Sequence, residues 1–221
     1  MVSAAATLAR EGAVRLDRAA LGVLGALEAA LADVPAGQAG VRLWGRAGLS
    51  ELLHGPLGAL AGTLLPGARP VRALLLDKSA AANWALAWHQ DRTIAVRARH
   101  PLPGFGPWTV KRGVTHVEPP FALLARMVTL RVHLDPVDAD NAPLLVAPGS
   151  HRLGRIEEDA IEATVARHGS RACLAAAGDV WAYATPLLHA SARAARPRAR
   201  RVLQIDYSAD ALPPPLAWLG V

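Results

Sequence analysis

Within "ANWALAWHQDRTIAV", residues 82–96, His89 and Asp91 stand two apart in a run that alternates like a β-strand. Alternate residues of a strand point to one face, so an imidazole nitrogen and a carboxylate oxygen can reach one metal ion together. Alone, a His-x-Asp pair binds metal weakly, and the same spacing also describes a half-exposed strand histidine beside an acid. A third ligand is on offer in "GDVWAYATPLLHASARAARPRARR", where His189 follows a strand that opens at Gly178-Asp179. Two histidines and one carboxylate on one face of an iron ion leave three adjacent positions open, the facial triad of non-haem Fe(II) chemistry. Those positions suit a bidentate co-substrate and O2 held side by side.

The elements that must position these residues are legible as two textures. Up to about residue 69 the chain reads as helical. "EGAVRLDRAALGVLGALEAALADV" predicts a short strand near 13–16 and then an amphipathic helix over 19–34 capped by Asp17. "LSELLHGPLGALAGTLLP" predicts two helical pieces divided at Gly55-Pro56. From residue 70 the runs "VRALLLDKS", "TIAVRAR", "RMVTLRVHLD", "APLLVAPG", "GDVWAYA" and "RVLQIDYSA" are short and β-rich, each bounded by turn residues. One further helix is predicted over about 157–168. Helices first and many short strands afterwards predict a mainly β fold, an antiparallel sandwich or barrel with a helical layer outside.

Several ordered motifs together are similar to the bacterial branch of the phytanoyl-CoA dioxygenase family of 2-oxoglutarate-dependent oxygenases. They are "WHQD" at Trp88 to Asp91, "PGSH" at Pro148 to His151, and His189 followed eleven residues later by Arg200. The resemblance runs from about Lys78 to Ser208. It implies a double-stranded β-helix (a cupin-like jelly roll) over about 70–208, a helical part over about 1–69, and one oxygenase domain over 1–221. It implies Fe(II) held by His89, Asp91 and His189, with 2-oxoglutarate and O2 as co-substrates. It also implies a hydroxylation that releases succinate and CO2. Relatives that halogenate carry a small residue in place of the carboxylate ligand, and Asp91 fills that place here.

A cation must meet the far carboxylate of 2-oxoglutarate, and the planar fork of arginine suits that task. The family spacing points to Arg200. Arg201 would face the opposite way in a strand, and the neighbouring Arg193, Arg196 and Arg198 read as a solvated charge run. Lys78 and Asn83 precede the His-x-Asp strand, as co-substrate contacts or as loop residues. Thr129, Arg131 and His133 share one strand face. If that face lines the barrel, Arg131 is a buried cation that calls for a carboxylate ligand; otherwise the trio faces solvent. Trp88 and Trp108 could line a pocket, although large aromatics more often belong to cores. His151 is expected to brace a turn, and His54, His100, His116 and His168 to lie at the surface or in loops. The Gly- and Pro-rich stretch 100–120 is expected to cover the active site. In place of the family's Asn-Gly stands Asn141-Ala142, which puts the turn type there in question because alanine disfavours positive φ.

Composition narrows the classes. The chain has 221 residues, 52% of them hydrophobic, and a formal net charge of +6. Only Lys78 and Lys111 are lysines, so the positive charge is carried by arginine. That excess favours an anionic small molecule. With 5% aromatic residues and no recognisable module, nucleic acid is not expected as a partner. The single cysteine, Cys173, forms no intrachain disulfide, and no signal-peptide pattern or membrane span is visible. The expectation is a cytoplasmic enzyme with a small-molecule substrate. The rival is a catalytically silent jelly-roll sensor that binds metal and 2-oxoglutarate.

Overall fold

The computed structural model describes residues 2–221. Six α-helices are present among them: α1 (Ala4–Glu11), α2 (Leu24–Ala30), α3 (Ala47–His54), α4 (Pro56–Gly62), α5 (Phe121–Leu124) and α6 (Ile161–His168). Thirteen strands follow in chain order. They are β1 (Ala13–Leu16), β2 (Val41–Leu43), β3 (Arg69–Lys78), β4 (Leu86–His89), β5 (Ile94–Val96), β6 (Trp108–Lys111), β7 (Val114–Val117), β8 (Val128–His133), β9 (Leu144–Val146), β10 (Arg171–Cys173), β11 (Val180–Ala184), β12 (His189–Ser191) and β13 (Arg200–Ser208).

The strands form a six-stranded sheet in the order β1-β11-β8-β13-β3-β2, a four-stranded sheet β10-β9-β12-β4 and a three-stranded sheet β5-β7-β6. This is the mainly β jelly-roll architecture expected, with helices on one side. Alternation along β8, "VTLRVH", explains how the layers assemble. Val128, Leu130 and Val132 point outward into a core shared with Leu27, Leu49, Leu53 and Leu57 of the helices. Each such residue, fully withdrawn from water, contributes about 1.5–3 kcal/mol. Thr129, Arg131 and His133 point inward, and all three are buried. The ladder sets them in rows across the sheet: Thr129 beside Asp206, Arg131 beside Gln204, His133 beside Val202. On the other side of β13, Asp206 faces Arg72, Gln204 faces Leu74, and Arg200 faces Lys78. Directly opposed residues of an antiparallel pair share a face, so the interior of the roll is a polar stripe backed by apolar helices.

The N-terminal helix differs from the expectation over 19–34. A 3-10 turn at Leu21–Val23 leads into α2 at Leu24, capped by no side chain. Asp17 instead pairs with Arg15, and Arg18 adopts φ 55 in the turn between. With Gly22 and Gly25 weakening the first turn, the helix condenses only around buried Leu27. The break at Gly55-Pro56 and the helix ending at His168 lie where the sequence places them. Ala142 takes φ 50, so the turn keeps the positive φ that glycine would supply. Asp138 steadies it by accepting the backbone N–H of Asp140 (3.1 Å) and Asn141 (3.0 Å). Among the described residues no helix is long and apolar enough to cross a membrane.

Candidate metal centre

β4 and β12 pair antiparallel, and His189 lies directly opposite His89. The two rings stand 4.2 Å apart, centroid to centroid, tilted by 56°. Asp91 stands two residues beyond His89, the last residue of β4. Gln90 turns away between them, donating to Pro186 O (2.8 Å) and Gly154 O (3.1 Å) and accepting from Ile156 N–H (2.9 Å). That clamp fixes the parity of the His-x-Asp pair. One ligand atom from each of His89, Asp91 and His189 lies within 4.8 Å of the others.

Each histidine donates Nδ1–H to the carbonyl two residues earlier, His89 to Ala87 (2.8 Å) and His189 to Leu187 (2.9 Å). The carbonyl can only accept, which leaves Nε2 as the free lone pair on both rings. Burial, and then the neighbouring His89, push the affinity of His189 for a proton down, so the ring stays in the neutral form a metal needs. Burial works to raise the Asp91 carboxyl, but Arg72, His189 and His89 outweigh it and the net shift is downward. Asp91 Oδ2 is buried without a hydrogen-bond partner, 3.6 Å from Arg72 Nη2.

Arg72 also donates Nε–H to Asp206 Oδ2 (2.5 Å), while Thr129 donates to Asp206 Oδ1 (2.9 Å) and meets Thr185 at 3.0 Å. Arg72 thus ties the candidate ligand to a buried acid behind it. Replacing Arg72 with methionine strands two buried carboxylates. The expected cost is about 3–5 kcal/mol, read from urea unfolding of the metal-free protein, with Arg72→Lys losing less.

A cavity of about 310 Å³ opens beside the three residues, and Arg131, Arg200, Gln204, Trp84 and Leu74 also line it. Arg131 donates to Gln204 Oε1 (2.7 Å), and its Nε has no partner. Arg200 is 2% exposed, and neither its Nε nor its Nη1 has a partner. Burial, and then Arg131, push the Arg200 guanidinium down to about 9, so it remains charged at neutral pH. A buried cation with two idle donors is an unfavourable arrangement unless an anion arrives. Arg201 faces the other way and is held by Asp135 (3.0 and 2.8 Å) and Glu28 (3.0 Å). Arg193, Arg196 and Arg198 are exposed, as expected.

Lys78 is buried at the same end of the sheet. Its Nζ donates to Ser191 Oγ (2.9 Å) and Ala192 O (2.8 Å) and sits 4.4 Å above the Trp84 ring. Burial, Arg200 and Arg131 push it down to about 7. Asn83 grips the backbone of Ala194 in both directions (3.0 and 2.7 Å), which makes it a loop clamp. Trp108 belongs to a core with Ile94, Val96 and Val117, and Trp88 packs on Ala147, Ile156, Ile161 and Leu188. Trp88 also lines, with His89, Glu158 and Glu162, a second crevice on the other side of β4. His151 reaches Ala9 O (3.2 Å), bracing α1.

His116 corrects the expectation of a surface residue, because it is wholly buried on β7. The sequence reading passed over Arg72, Gln204 and Asp206. The signal was present for two of them, since Gln204 and Asp206 continue the alternation that begins at Arg200.

The donor set fits ferrous iron: two neutral imidazoles and one carboxylate, with open space on the cavity side. The idle Arg200 fits the far carboxylate of a 2-oxo acid dianion.

Solved structures resemble the chain along nearly its whole length. EctD from S. alaskensis with bound Fe matches at TM-score 0.64 and 19% identity, over 98% of this chain and 79% of that one. AviO1 from Streptomyces viridochromogenes matches at 0.67 and 21%, over 97% and 98%. SnoK, a non-heme alpha ketoglutarate dependent carbocyclase from nogalamycin biosynthesis, matches at 0.65 and 17%, over 99% and 86%. At these identities the likeness is one of fold. No curated protein sequence matches the chain. The profile of the phytanoyl-CoA dioxygenase (PhyH) family matches residues 63–202, and with that the chain belongs to this family of non-haem iron, 2-oxoglutarate-dependent oxygenases.

Proposed function

We propose that the protein hydroxylates a small organic molecule, with His89, Asp91 and His189 as the iron ligands and Arg200 as the seat of the 2-oxoglutarate tail. The observation that carries this reading is the pair of facing histidines with Asp91, opening on a cavity that ends at an unpartnered buried arginine. Iron, when bound, supplies the O2 activation that couples loss of CO2 from 2-oxoglutarate to oxidation of the substrate.

This chain's own groups supply the rest. Ala87 and Leu187 hold both rings with Nε2 turned to the metal. Arg72 keeps Asp91 ionised and oriented. Arg200 offers two parallel donors to a carboxylate, and Arg131, braced by Gln204, adds a second positive charge. Lys78 holds the strand end after His189 through Ser191 and Ala192 and, pushed down to about 7, carries only part of a third charge at neutral pH. Hydroxylation is preferred over halogenation because Asp91 occupies the position that a halide would need. A silent sensor has less support, since the family this chain belongs to is one of oxygenases.

Anaerobic titration of the purified protein with Fe(II) and 2-oxoglutarate tests the reading. The expected result is the weak visible charge-transfer band of the bidentate chelate, followed by substrate-dependent succinate release in air. Metal binding with no band overturns it, and a band with no succinate release moves the sensor ahead.

A further inference from the structure

The cavity mouth carries positive charge that the co-substrate does not answer. β2 is one edge strand of the six-stranded sheet, and Arg42 lies directly opposite Leu74, a residue of the cavity wall. Opposed residues share a face, so Arg42 stands on the cavity side at the rim. Its Nε is buried without a partner.

Across the mouth lies the hairpin of β6 and β7. Its tip is pinned there by Arg112, which donates to Gln38 Oε1 (3.1 Å) and Gly40 O (3.2 Å) on either side of the cavity residue Ala39. Lys111 opposes Val114, and Val114 shares its face with His116. That face lies near Arg72 and Arg42, whose charges act on both His116 and Lys111. Lys111 is solvent-exposed, and partial desolvation with the charges of Arg72 and Arg42 pushes its ammonium down while Asp91 pulls it back. His116 Nε2, wholly buried, has no partner. Burial, and the charges of Arg72, Arg42 and Lys111, hold this ring neutral. Among the described residues neither Arg42 nor Lys111 takes part in an ion pair.

In the loaded enzyme the two charges of Fe(II) and the two of 2-oxoglutarate cancel, and Arg72 is matched by Asp206. Asp91 then stands alone against Arg131 and Arg200, with Lys78 contributing only part of a charge and Arg42 and Lys111 adding to the excess at the rim. A low-dielectric cleft of one sign concentrates the opposite one.

We propose that Arg42 and Lys111 form an oxyanion station at the cavity mouth that holds a carboxylate or phosphate group of the substrate to be oxidised. The station rests on the oxygenase reading above and narrows its substrate class to anions long enough to reach from the rim to the metal.

The full chain, loaded with Co(II) and 2-oxoglutarate so that Arg200 is occupied, is titrated calorimetrically with inorganic sulfate and, separately, with acetate at constant ionic strength. One saturable anion per chain is expected. Its affinity should fall about tenfold in Arg42→Gln and again in Lys111→Gln, as loss of a charged hydrogen bond predicts. It should stay unchanged in Arg152→Gln, a charge removed from another exposed surface. Tighter sulfate assigns a phosphate-bearing substrate and tighter acetate a carboxylate. Absence of saturable binding, or equal affinity in all three variants, overturns the station. The chelate band is recorded in parallel. A band without a variant-sensitive anion site sinks the station alone, and a variant-sensitive site without a band supports the station and sinks the oxygenase reading.

Discussion

His189→Ala should abolish succinate release and lower Fe(II) affinity by more than about 100-fold, since loss of groups merely supporting a metal ligand already costs about 10–100-fold. The ring is 3% exposed, lodged between His89 at 4.2 Å and Tyr183 at 5.4 Å. Its one hydrogen bond runs to the carbonyl of Leu187, so alanine removes a ligand without disturbing the β12 ladder. Thermal unfolding of the metal-free variant should therefore stay near that of the parent, while the stabilisation conferred by metal disappears. Equilibrium dialysis against Fe(II), alongside the melting curves, makes the check. Retention of tight iron binding by a folded His189→Ala protein would remove this histidine from the site. His89→Ala and Asp91→Ala are expected to behave alike, because two ligands cannot hold what three do.

The second large effect belongs to Arg200. Arg200→Gln should weaken 2-oxoglutarate by about 30- to 5,000-fold, the range for removing one partner of a buried charged pair. Fe(II) binding should be nearly untouched. The direction of the stability change is the sharper test. In the free protein Arg200 is a buried cation whose Nε and Nη1 have no partner, so replacing it should stabilise the apoprotein. The added stability from 2-oxoglutarate should vanish in the same variant. Arg200 is also one of the groups that push Lys78 down to about 7, so its removal lets Lys78 hold its proton to higher pH. Arg201→Gln makes the opposite pattern. It frees Asp135 and Glu28 from their shared arginine and should lower stability while sparing 2-oxoglutarate. Reversal of the two patterns would place the co-substrate on the other face of β13.

Chemistry that depends on local spacing was readable before any fold. The His-x-Asp parity, the opposite facing of Arg200 and Arg201, the alternation of Thr129, Arg131 and His133, and the break at Gly55-Pro56 all follow from the geometry of a strand or a helix. Each needs only neighbours a few residues away. Which face of an alternating strand turns inward is a different question. β8 buries both faces, Leu130 against helices and Arg131 in the roll, so polarity did not betray which side holds the site. His116 read as a surface residue because nothing nearby in sequence announces the Arg72 and Arg42 charges that fold against it. Asp17 read as a helix cap because its residue type favours one, yet the turn through Arg18 moved the helix start to where Leu27 could be buried. The sequence by itself determined the candidate ligand types, their spacing and the strand parity, since these are properties of local backbone geometry. Only the tertiary structure decided which groups lose water together: His89 with His189, Arg72 with Asp206, Arg131 with Gln204. Those pairings join distant strands, and desolvation and charge act through space with no regard for separation along the chain.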